Sequence, residues 1–162
     1  MEKPTTDALL ELERCYGQLV SWCDLLEAIA DFLPCQVDER LCNTITNGLV
    51  PLLLLSHKLE EEILSTGLEL IMTQDECIAA QDRRRTSRLL DYDAAEELVE
   101  TLGSLKEGRC RLSWDAVGFQ LRAFFGSLRR HIRSEREILK LIQKAMKEQG
   151  SLLNGVGEPE AA

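Results

Sequence analysis

The chain has 162 residues, 44% hydrophobic and 29% charged, with a formal net charge of -9 at neutral pH. That balance describes one globular domain with enough length to bury a continuous core. The acidity argues against nucleic acid or an anionic membrane as the main partner.

The opening residues, Met1 to Asp7, carry no apolar signal core, and the expected location is cytoplasmic. The longest apolar run, Leu49 to Leu55, contains Pro51 and falls far short of the roughly 20 residues of a membrane span. Six cysteines (15, 23, 35, 42, 77 and 110) are scattered without a Cys-x-x-Cys pair. They read as small buried hydrophobes in a reducing compartment, with a redox-sensing thiol as the alternative.

Four segments carry apolar residues at alternating steps of three and four, the pattern of helices packed along a seam. The first spans Thr6 to Leu33, its stripe running from Leu9 through Tyr16, Leu19, Cys23 and Ala30 to Leu33, and Pro34 ends it. The second runs from Asp38 to about Ser65, with Pro51 expected to bend it and Gly67 to stop it. Its inward stripe reads Val50, Leu53, His57, Glu61, Leu64. Between Gly67 and Arg85 the pattern weakens to a short capping helix around Ile71 to Ile78.

The third helix is expected over Arg85 to Lys106. Its stripe of Leu98, Leu102 and Leu105 traces back through Ala95, Tyr92 and Arg88. The fourth begins at an N-capping Ser113 with Asp115 in its first turn. Its seam reads Val117, Leu121, Phe124, Leu128, His131, Glu135, Ile138, Ile142, Ala145. Phe125 beside it either completes the core or belongs to a homodimer contact. The fold class that follows is all-α, an up-down-up-down four-helix bundle over residues 1–148, followed by a disordered acidic and glycine-rich tail, 149–162.

The chain holds only two histidines, and each stands four residues before a glutamate: His57 with Glu61, and His131 with Glu135. Residues four apart share one helix face, so each pair presents an imidazole and a carboxylate together. All four sit in seam positions, where an unpaired charge is costly and a partner is required. A metal ion, a cationic side chain or a wet cavity would each serve.

Three stretches resemble the hemerythrin-like family (HHE cation-binding domains). They are Leu49-Val50-Pro51-Leu52-Leu53 with His57-Lys58-Leu59-Glu60-Glu61; Leu121 to Phe125 with Leu128-Arg129-Arg130-His131-Ile132 and Glu135; and, less specifically, Trp22 to Ala30. The second is similar to the final helix of bacterial members. The resemblance implies a bundle with an iron site midway along its interior, drawing histidines from all four helices and carboxylates from the second and fourth.

His57, Glu61, His131 and Glu135 match that pattern, whereas Tyr16, Arg88 and Tyr92 stand where further ligands are expected. A carboxylate-bridged iron pair needs more imidazole than two histidines supply. The expectation is therefore a non-enzymatic, degenerate member acting through protein contacts, with no cofactor. Arg88 would fill the former site by pairing with Glu61 or Glu135, and Tyr16 and Tyr92 would donate to the same carboxylates. The alternative is a protein that binds or senses one iron or other divalent ion through His57, Glu61, His131 and Glu135, with Glu60 nearby. Arg84-Arg85-Thr86-Ser87 also resembles a basic phosphorylation site, a common chance match. No phosphate loop, nucleophile elbow or zinc ribbon is present.

Overall fold

The computed structural model describes residues 4–34 and 37–154. Its helices are α1 (Thr6–Phe32), α2 (Glu39–Gly67), α3 (Gln74–Lys106) and α4 (Trp114–Asn154), with a single 3-10 turn at Leu68–Leu70. Each helix packs against two others, in the closed order α1, α2, α3, α4, which makes an all-α four-helix bundle. Leucine dominates the interior: Leu12, Leu19, Leu26, Leu49, Leu53, Leu98, Leu102 and Leu121 have no exposed surface.

Each start is capped by a short polar side chain that accepts an otherwise orphaned amide. Thr5 accepts from Ala8 N at 3.2 Å, Asp38 from Arg40 N at 2.7 Å and Ser113 from Ala116 N at 3.1 Å. α3 begins eleven residues before the expected Arg85, at Gln74. The cause is a capping box: Thr73 and Glu76 bond reciprocally, Thr73 N donating to Glu76 Oε2 at 2.9 Å. Of the residues read as a short capping helix, Cys77 and Ile78 belong to the first turns of α3, whereas Ile71 and Met72 lie in the turn before it; the weak pattern reflects an exposed outer face that includes Ile78.

Pro51 lies within α2 on its exposed side, where water can serve the carbonyl of Asn47 that loses its donor. Two close approaches need glycine. A Cβ on Gly48 would strike the Trp22 indole, and one on Gly67 would stand 2.8 Å from Ile142 Cδ1. α4 continues past Gly150 to Asn154, so the first part of the expected tail is helical, and residues 155–162 lie outside the described region.

Phe125 is buried, and the Arg129 guanidinium covers its ring at 5.0 Å. It completes the core. Cys15, Cys23, Cys42 and Cys77 are buried free thiols, and burial pushes Cys23 up to about 11. Cys35 lies outside the described residues. Among those residues no helix is long and apolar enough to cross a membrane.

Candidate metal centre

Midway along the bundle the leucine layers give way to a polar one. Its hub is Glu60 on α2, only 1% exposed. Three groups donate to its carboxylate, one from each other helix. Tyr16 Oη of α1 reaches Oε1 at 2.6 Å, His131 Nε2 of α4 reaches Oε1 at 2.9 Å and Arg88 Nε of α3 reaches Oε2 at 3.2 Å. Burial alone would raise the Glu60 carboxyl, but hydrogen bonds from His131 and Tyr16 outweigh it and hold the group below its usual range. Burial and the Glu60 charge drive the Tyr16 phenol far upward, so it stays a protonated donor.

A second buried pair lies beside the hub. Arg84 of α3 donates through Nε to Glu135 Oε1 and Oε2 at 3.1 and 3.3 Å, and through Nη1 to Ala80 O at 3.3 Å. Burial raises the Glu135 carboxyl and Arg84 opposes it.

His131 shows why the layer is unfinished. Its Nε2 is taken by Glu60, which leaves Nδ1 pointing toward Asp91 Oδ2 at 3.8 Å, too long for a hydrogen bond. Asp91 Oδ2 is buried without a partner, and so is His57 Nε2. Donor atoms of His57, Asp91 and His131 all lie within 4.8 Å of one another, and the two imidazoles meet edge to face at 6.2 Å.

Burial, assisted by the charges of His131 and Arg88, pushes His57 down to about 4 and keeps it neutral at pH 7. Burial raises Asp91. It would lower His131, but the bond and charge of Glu60, with Asp91 and Glu135, raise it instead. Three side chains thus bring nitrogen and oxygen atoms close together with no hydrogen bond among them.

The expected residues divide sharply. His57 and His131 come together. Glu135 is buried but belongs to Arg84. Glu61 is over half exposed and pairs with Arg85 at 3.4 Å on the surface, with Arg88 Nη1 at 4.0 Å. Arg88 points inward, yet its main partner is Glu60 rather than Glu61 or Glu135. Tyr16 donates to Glu60 as well. Tyr92 is half exposed and donates to Glu96 on its own helix, so it takes no part in the interior.

Glu60 was expected only as a neighbour of the site and Asp91 not at all, for the same reason. After His57 the stripe can step by four to Glu61 or by three to Glu60, and before Ala95 it can step back by three to Tyr92 or by four to Asp91. The buried choices are Glu60 and Asp91. A preference for placing acids near the two histidines would have found both.

No protein-family model, curated protein or solved structure matches this chain. The chemistry of the site therefore rests on these side chains.

Proposed function

We propose that this bundle binds one divalent cation through His57, Asp91 and His131, as a hemerythrin-like domain reduced from two ions to one. Its role is binding or sensing, with no catalysis of its own. The observation that carries the reading is the pair of unpartnered buried atoms, His57 Nε2 and Asp91 Oδ2, on residues whose ligand atoms lie within 4.8 Å of one another and of His131. Leaving such groups buried without a partner costs about 1–3 kcal/mol each, and an ion would satisfy both.

A di-iron pair does not fit these residues. Glu60 and Glu135 are spent on Tyr16, His131, Arg88 and Arg84, and no third imidazole exists. One ion does fit. Two imidazoles and a carboxylate suit Fe(II) or Zn(II) and leave positions open. Bonds of about 2.0–2.2 Å hold two donors no more than about 4.4 Å apart, a span close to that of these three side chains. Glu60 would act as the outer carboxylate, orienting His131 through its other nitrogen.

Charge balance favours a second reading, a metal-free scaffold with arginine and tyrosine in place of the ion. Glu60, Asp91 and Glu135 are matched by Arg84, Arg88 and a protonated His131 without any metal. In that case the domain works purely through protein contacts.

Metal content of protein from iron-, manganese- and zinc-supplemented cultures separates the two. The one-ion reading expects near-stoichiometric metal, lost in the His57→Ala variant, and a melting temperature that rises with added ion. Well-folded protein that carries no metal and whose melting ignores Fe(II), Mn(II) and Zn(II) would overturn it in favour of the scaffold.

A further inference from the structure

A cleft of about 400 Å³ runs between α3 and α4 on the outer side of the Arg84–Glu135 pair. α3 lines it with Arg83, Arg84 and Ser87, and α4 with Ser127, Arg130 and Ser134, above the more deeply placed His131 and Glu135. Its charge is unusual for a chain of net charge -9. The one carboxylate on its walls, Glu135, is already held by Arg84.

Many of the other arginines are committed: Arg85 to Glu61, Arg88 to Glu60, Arg122 to Asp31, Arg129 to Asp24 and Glu27, and Arg136 to Glu13. Arg14, Arg40, Arg111 and Arg133 also lack an acidic partner among the described residues, but none of them lines this cleft. Arg83 and Arg130 are exposed and have no acidic partner among the described residues. The cleft also gathers three serine hydroxyls. Ser21, Ser56 and Ser65 donate back to carbonyls of their own helices. Ser87, Ser127 and Ser134 make no such bond among the described residues. Arg84 spends Nε and Nη1 and keeps Nη2 uncommitted.

From this concentration of unspent donors we infer that the α3–α4 cleft binds the phosphate monoester of a small molecule. A phosphate dianion offers three acceptor oxygens, and guanidinium forks meet them in two-pronged fashion while hydroxyls complete the shell. A carboxylate, with two oxygens and one charge, would leave much of this donor set unused. The volume suits a small metabolite, and the protein's overall acidity opposes a nucleic acid backbone. The site lies over Arg84, so a bound anion that draws on Nη2 bears directly on the grip of Arg84 on Glu135.

Calorimetric titration of the whole chain tests this, using phenyl phosphate, inorganic phosphate and benzoate at matched ionic strength in chloride. Phenyl phosphate is expected to bind about tenfold tighter than benzoate and tighter than inorganic phosphate. The Arg83→Ala, Arg130→Ala double variant should lose about tenfold in affinity for phenyl phosphate. Its melting temperature without ligand should match the wild type, because both side chains are exposed and unpaired. Equal binding by wild type and double variant, by phenyl phosphate and benzoate, or by phenyl and inorganic phosphate would overturn the assignment, as would the absence of any binding heat. The His57→Ala variant lacks the proposed cation ligand and should bind phenyl phosphate normally, so this inference and the metal reading fail separately.

Discussion

The α1–α4 rim and the middle of the bundle use the same chemistry, arginine against carboxylate, in opposite settings. Along the rim Arg122, Arg129 and Arg136 of α4 meet Asp31, Asp24 with Glu27, and Glu13 of α1, in positions open to water. In the middle Arg88 meets Glu60 with 9% and 1% of the side chains exposed. Water and salt screen the rim pairs, so they add little to stability and mainly favour the pairing of α4 with α1. The buried pair has no such relief. Removing either partner strands a charge, whereas the intact pair adds little over an apolar layer. Because Glu60 collects a donor from every other helix, it specifies how all four align.

The largest contrast should come from breaking the hub. Arg88→Ala and Glu60→Ala are each expected to destabilise the protein by about 3–5 kcal/mol in urea unfolding. Losses below about 1 kcal/mol would mean that the middle layer behaves like the rim.

A smaller, pH-dependent difference should separate the two histidines in the metal-free protein. Burial holds His57 at about 4 against an ordinary 6.5. Between those values the unfolded chain takes up a proton that the folded state refuses, so stability falls as pH drops from 6.5 toward 4, by up to ~3 kcal/mol. His131 has the opposite sign. Its raised value gives a contribution fully present below the ordinary histidine range and lost as pH rises through the folded value. In stability-against-pH curves, His57→Gln should remove the acid-side loss and His131→Gln the alkaline-side loss. Parallel curves for the two variants would contradict the assigned environments.

The rim should give the smallest effects. Arg122→Ala and Arg136→Ala are expected to cost less than about 1 kcal/mol each, and less still in high salt. Arg129→Ala should cost the most of the three, because its guanidinium holds two acids and covers the Phe125 ring at 5.0 Å, closer than Arg136 lies over Tyr16 at 5.8 Å. A loss at Arg122 comparable to that at Arg88 would erase the distinction.

Much of this was legible in the sequence. Periodicity located four helices, and the starts at Thr6 and Asp38 and the Ser113 cap needed nothing more than local chemistry. The early start of α3 was also written locally, in Thr73-x-x-Glu76, but a thin apolar pattern on its first turns obscured it. The bundle's interior histidines were visible as seam breaks. Their acidic neighbours were not, because a helical stripe allows a step of three or four at each turn and only packing decides between them. Glu60 and Asp91 won over Glu61 and Tyr92 because α3 and α4 close over those sides. That choice depends on the relative rotation of helices far apart in sequence, which no local pattern encodes.

The same choice supplies the sharpest test of the metal reading. Titration of Zn(II) into metal-free wild type, Asp91→Asn and Glu61→Gln compares the acid facing the histidines with the one on the surface. Affinity should fall by about tenfold or more in Asp91→Asn and stay at the wild-type value in Glu61→Gln. Loss in Glu61→Gln with Asp91→Asn unaffected would contradict the site at His57, Asp91 and His131.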